Sequence, residues 1–176
     1  MRLYYTGASK LYGWQTDIMK SLGNYPSDCA LPNDTIANLF SEISEYGARQ
    51  GLIETKAIVL KNTLQTPVSA VKLYQTYPNN CLVKLEWGVE QLNSQNKLSS
   101  IVNVRQTPMG VTFKEPTNVD KLAICNSLDV NGMIGLWVRR TIISPPAIDS
   151  ISDEDLENYL SALLKKETIG ITIDWT

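Results

Sequence analysis

Apolar and polar residues alternate most regularly in the middle of the chain. From residue 52 the period is two: Ile53, Thr55, Ala57, Val59 and Lys61 share one parity, while Glu54, Lys56, Ile58 and Leu60 share the other. This is the pattern of a half-buried strand, whose successive side chains point to opposite faces. Residues 62–67 carry turn chemistry, residues 68–77 resume the extended pattern, and Pro78-Asn79-Asn80 turns the chain again. Residues 81–89 then set Cys81, Val83, Leu85, Trp87 and Val89 against Leu82, Lys84, Glu86 and Gly88. After a polar loop at 91–100, strand-like runs return at 101–105, 111–113, 121–125 and 134–143. Short strands divided by Pro, Asn and Gly predict a sandwich or barrel. Strands do not alternate with helices, which argues against a parallel nucleotide-binding sheet.

Two segments have helical spacing instead. Asn33 or Asp34 caps a short helix along which Ile36, Leu39, Phe40 and Ile43 recur, with Gly47 as its stop. Further on, Ser152 followed by Asp153, Glu154 and Asp155 supplies an N-cap and an acidic first turn. Leu156, Tyr159, Leu160, Leu163 and Leu164 make one apolar face, and Lys165 and Lys166 close the helix at the end its dipole favours. Ile169, Ile171, Ile173 and Trp175 then alternate as a last strand, so the helix at 152–166 is an insertion before that strand.

Residues 1–33 have no period. Gly7, Gly13, Gly23, Pro26 and Pro32 break it into turns, and Tyr4, Tyr5, Tyr12, Trp14 and Tyr25 are scattered among them. The expectation is an extended N-terminal arm over 1–33, lying on its own domain or, by preference, on a neighbouring subunit, and a single β-domain over 34–176. Aromatic residues in an irregular segment are typical interface anchors, so these five are candidates for subunit contact.

Composition narrows the chemistry. The 176 residues contain no histidine, which removes the usual general base near neutral pH and the imidazole ligand of most zinc sites. Cys29, Cys81 and Cys125 are far apart and odd in number, so a disulfide framework is not expected and the thiols read as inert. A net charge of −2 argues against broad nucleic-acid binding, and Arg139-Arg140 is too small a basic cluster to hold a duplex. No apolar stretch approaches the roughly 20 residues that span a bilayer. The first residues lack the apolar core of a secretory signal, so the chain reads as soluble and made in the cytosol.

No catalytic constellation stands out. GxGxxG and phosphate-loop motifs are missing, and no histidine can activate a serine. Consecutive acids at 153–155 are better explained by the helix dipole than by a cation. Glu54, Glu86, Glu90 and Asp120 leave a two-carboxylate glycosidase as a remote alternative. Trp87 and Trp137, flanked by Leu and Val, read as core rather than as sugar platforms. The expectation is therefore no catalytic, cofactor-binding or metal-ligating residue, and no enzyme.

The run Ile134-Gly135-Leu136-Trp137-Val138-Arg139-Arg140-Thr141-Ile142 resembles a pattern in structural proteins of tailed bacteriophages. There, a Gly-[Leu/Val]-Trp-[Ile/Val]-[Lys/Arg]-Arg-Thr run lies in a late strand of an immunoglobulin-like or jelly-roll-like sandwich. Residues 38–44, Asn-Leu-Phe-Ser-Glu-Ile-Ser, are similar to a short helix ahead of that family's first strand. Residues 54–63, ending in Lys61-Asn62-Thr63, are similar to its opening strand. The overall style is also similar to proteins of crAss-like phages. The helix at 152–166 departs from simpler members, in which the chain runs almost directly to its final strand.

The resemblance implies a mainly β, antiparallel sandwich with Trp137 plugging it. Alternation puts Arg139 and Arg140 on opposite faces; a buried one needs a carboxylate such as Glu54 or Glu86, and an exposed one could reach a neighbouring subunit. It further implies a non-enzymatic virion protein, made in the host cytoplasm. Its partners would be copies of itself and other virion proteins in a ring-like neck, connector or tail, with no membrane and no direct nucleic-acid contact. A capsid decoration or fibre-anchoring protein, or a carbohydrate-binding host adhesin, are the alternatives.

Overall fold

The computed structural model describes residues 1–32, 39–40, 44, 47, 50–75, 83–143 and 171–176. Within them the chain is mainly β, and every strand pairing is antiparallel. The strands are β1 (Arg2–Ala8), β2 (Gly23–Ala30), β3 (Leu52–Lys61), β4 (Val68–Gln75), β5 (Val83–Glu90), β6 (Leu98–Ser100), β7 (Leu122–Leu128), β8 (Met133–Ile142) and β9 (Ile171–Asp174). They form a six-stranded sheet in the order β5-β8-β3-β1-β2-β6 and a three-stranded sheet in the order β7-β4-β9.

The expected arm over 1–33 is not seen. Its residues supply β1 and β2 of the larger sheet, with Tyr5 opposite Ile58 and Tyr4 opposite Val59 on β3. The absence of a period has a structural cause. The β1–β2 ladder slips between Tyr4 and Thr6 and again between Thr6 and Ala8, and Pro26 sits inside it opposite Thr6. Irregularities of this kind swap the faces that side chains address, which erases alternation from the sequence.

The expected helix before the first strand is not shown either. The backbone at Leu39 and Phe40 is bent rather than helical, Ser44 belongs to no element, and Gly47, read as the stop, is itself helical; the other residues of that segment lie outside the described ones. The helix at 152–166 also lies outside them.

β3 and β8 form the longest ladder, from Leu52 opposite Ile142 to Lys61 opposite Met133. Seven consecutive residues of β3, Glu54 to Leu60, are buried, so both faces of the sheet are covered there. On one face Ile58, Leu60, Leu136, Val138, Leu85 and Trp87 share a core with Val68, Val71, Leu73, Ile124 and Leu128 of the smaller sheet. On the other face Ala57, Val59 and Trp137 pack with Leu98 and Ile101, sealed by Leu22, Leu92, Val111 and Phe113. Segments 101–105 and 111–113, expected as strands, form none; Ile101, Val111 and Phe113 pack onto this face, Val102 is exposed, and the Thr55 amide of β3 donates to the Val104 carbonyl at 2.6 Å.

Trp137 therefore does not plug the space between the sheets, as expected; Trp87 does, and Trp137 fills the opposite face. The larger sheet curls about it. A methyl group on Gly135 would lie 2.2 Å from Leu98 Cδ2, and one on Gly23 would lie 3.0 Å from Trp137 Cη2. Glu90, the last residue of β5, joins the two ends of the strand order. Its Oε2 accepts the Trp137 indole N–H at 2.6 Å, and its Oε1 accepts the Ser99 amide of β6 at 2.8 Å.

Candidate interaction surface

The connection between β1 and β2 projects three large apolar side chains into solvent: Leu11, Tyr12 and Trp14 are 86%, 76% and 76% exposed. Scattered single apolar residues are ordinary on a surface, but three within four positions make a patch.

The backbone carrying them is tied down. The Tyr12 amide donates to Ser9 Oγ at 2.9 Å, and the Ser9 amide donates to the Tyr12 carbonyl at 3.2 Å, forming a closed turn. The Asp28 amide of β2 donates to the Gly13 carbonyl at 2.8 Å. Next to Trp14 the chain dives inward. Gln15 is buried, its amide donates to Ser27 Oγ at 3.0 Å, and Ser27 Oγ donates back to the Gln15 carbonyl at 2.6 Å. The Gln15 side-chain amide also donates to the Thr6 carbonyl, and the Thr6 hydroxyl to the Ala57 carbonyl of β3. Thr6, Gln15, Ser21 and Ser27, all buried, thus link the base of the loop to the sheet. A buried polar network that is largely satisfied rigidifies what it holds. Gln15 Oε1 is one acceptor in it with no partner.

A 3-10 turn, Ile18–Lys20, closes the segment. Asp17 caps it, with Oδ1 accepting the Met19 amide at 2.9 Å. From below, the buried Lys56 of β3 donates to the carbonyls of Ile18 at 3.1 Å and Met19 at 3.2 Å.

The other interface candidates are placed differently. Tyr5 belongs to the core. Tyr4 and Tyr25 are half-buried, under the ammonium groups of Lys61 and Lys97 respectively. Arg139 and Arg140 lie on opposite faces of β8, as alternation requires, and neither is free. Arg140 pairs with Glu54, its register partner on β3, and its guanidinium stacks 4.7 Å from the Phe40 ring centre. Arg139 pairs with Glu86, its register partner on β5, at 2.9 Å and stacks 4.3 Å from Phe113. Both carboxylates proposed from sequence are used, one for each arginine. Leu11 was missed; its place beside Tyr12 in a Gly-bounded loop was the available signal.

A second surface feature is an open groove of about 530 Å³ between β4 and the end of β9, lined by Lys72, Val119, Lys121, Asp174 and Trp175 among others. Lys121 is committed within it, bonded to Asp174 at 2.6 Å and lying over Tyr74. Its amine is held above its ordinary value by the hydrogen bond to Asp174. Cys29 is buried, and burial pushes the Cys125 thiol up. Among the described residues no three His, Cys, Asp or Glu side chains converge as a metal site, and no helix is long and apolar enough to cross a membrane.

Comparison of the chain with protein-family models, with curated proteins and with solved structures gives no match.

Proposed function

We propose that this chain is a non-enzymatic structural subunit of a tailed-bacteriophage virion, repeated around a neck, connector or tail ring. Its two sheets would make an immunoglobulin-like or jelly-roll-like sandwich. The observation that carries the reading is the rigid presentation of Leu11, Tyr12 and Trp14. A free monomer gains nothing from three solvated apolar side chains on a loop fastened this firmly. A subunit does, because a preorganised aromatic patch loses little freedom on docking. The Trp137-Arg139-Arg140 run adds the resemblance to phage structural proteins. Its role in this reading is internal: the arginines stiffen the sheet, and subunit contact falls to the loop.

The test is assembly. Size measurement by light scattering and electron microscopy of the purified protein should show closed oligomers, burying obligate-scale areas above roughly 2,000 Å² per contact. Trp14→Ser together with Tyr12→Ser should leave folded monomers. Truncation of residues 1–30 is not a usable test, because it removes β1 and β2 from the sheet. A monomeric wild type that joins no other virion protein would sink the proposal. Counting copies per particle separates a ring, with about a dozen, from a capsid decoration, with hundreds.

A host-surface carbohydrate-binding module is the second reading. It draws on exposed Trp14 and on half-exposed Trp175, which lines the groove with Lys72 and Lys121. Glycan-array binding abolished by Trp14→Ala or Trp175→Ala would favour it.

A further inference from the structure

We infer that Lys56 is a positioning residue for the Leu11–Tyr12–Trp14 surface: a buried amine whose task is to hold the loop that carries the patch, not to stabilise the sheet. In its docking consequence, this inference rests on the assembly reading above.

Lys56 is 1% exposed and lies on the most covered strand of the structure. Its position pairs with Val138, on the face given to apolar packing. A lysine there is costly, since an ammonium loses its water on burial. Nearby charges compensate only in part. Glu54, two residues away on the same face, is bonded to Arg140. Asp17 caps the 3-10 turn. The Arg140 guanidinium opposes the amine's charge, and burial lowers the amine from its ordinary value. Among the described residues no carboxylate makes an ion pair with it.

What the amine does hold is the 3-10 turn. The Ile18 carbonyl already accepts the Ser21 amide at 3.1 Å, so Lys56 is its second donor. The Met19 carbonyl has Lys56 as its donor, and Met19 Sδ lies 3.6 Å from Nζ. A cation at the carbonyl end of a turn is favoured by the turn's own dipoles. Ile18 and Met19 follow Trp14 after the three residues Gln15, Thr16 and Asp17, and beyond Lys20 the Ser21 carbonyl accepts the Ala57 amide of β3 at 2.8 Å. Lys56 and Ala57 thus grip one short turn at adjacent points, fixing the exit of the loop as Gln15 and Ser27 fix its base. A methionine would fill the same volume without the cost of a buried charge. The amine's distinguishing property at this position is donation to the turn.

The experiment compares Lys56→Met and Lys56→Gln with the wild-type full chain by hydrogen exchange and by assembly. Lys56→Met should fold, with a melting temperature equal to or above that of wild type. It should keep protection in β3 and β8 but lose it, by tenfold or more, at the amides of residues 19–22. Lys56→Gln, which retains a donor, should recover part of that protection, and assembly should weaken in the same order. Unchanged protection at 19–22 in Lys56→Met would overturn the inference. Failure of Lys56→Met to fold would also overturn it, by showing that the amine serves the core. If wild type does not assemble, the functional reading fails, and the exchange data still decide the role of Lys56.

Discussion

Trp137 and Glu90 meet across the curl of the larger sheet, the indole N–H donating to the carboxylate at 2.6 Å. The same carboxylate takes the Ser99 amide, so one side chain fastens β5, β8 and β6 together. Glu90→Ala leaves a fully buried indole N–H without its acceptor, at a cost of about 1–3 kcal/mol. Denaturant titration should show this loss. Trp137→Phe, which removes the donor as well, should make a following Glu90→Ala substitution less damaging than it is alone. An additive pair would show that the contact carries no coupling.

Gly135 is required by packing rather than by backbone freedom. Leu98 lies where its β-carbon would be, and the Glu90 carbonyl lies 3.0 Å from the same point. Gly135→Ala should destabilise the fold by about 1–3 kcal/mol through overpacking. Adding Leu98→Ala should restore part of that loss despite the cavity it opens elsewhere. Equal damage in the single and double variants would mean that the clash is with the backbone alone.

The two arginine pairs should differ in weight. Arg140 and Glu54 are 12% and 8% exposed at the side chain, whereas Arg139 is 24% exposed. Removing one member of a buried pair costs about 3–5 kcal/mol, because the other charge is left behind. Glu54→Ala should fall near the lower end of that range, and Glu86→Ala should cost clearly less. Thermal unfolding of the two variants side by side is sufficient, and the reverse order would contradict the burial argument.

Lys56 sets a pH dependence of definite sign. Desolvation lowers its amine in the folded chain, Arg140 adds to this, and Glu54 and Asp17 oppose it. The unfolded chain, with the ordinary value of 10.5, binds that proton more tightly. The charged amine therefore costs stability at neutral pH, and the cost fades as pH rises from the folded value toward 10.5. The stability advantage of Lys56→Met over wild type should narrow across that alkaline window. A gap independent of pH would exclude the linkage.

The strands with unbroken alternation were legible: β3, β5, β8 and β9 lie close to their expected positions. So were the carboxylate partners of the arginines, because register pairs residues directly across a ladder. β1 and β2 were not, since two slips and an internal proline scramble the parity that sequence reading depends on. The placement of Trp137 was hidden for another reason. Where both faces of a sheet are covered, apolar residues occupy both parities, and alternation no longer says which core a tryptophan enters. The loop's aromatics were visible as candidates. What separates Tyr12 and Trp14 from Tyr4, Tyr5 and Tyr25 is a set of polar contacts between distant residues, which no local pattern reports.

The pairing of β2 with β6, from Gly23 to Ser100, also bears on how the molecule is made. The curl cannot close until segments from opposite ends of the chain's first hundred residues have met around one indole. Topologies dominated by such distant pairings fold on the order of milliseconds to seconds. During that interval the rim of β2 is open to any other nascent copy. Swapping of the short β6 strand between copies is then the characteristic error to look for when the protein is produced at high concentration.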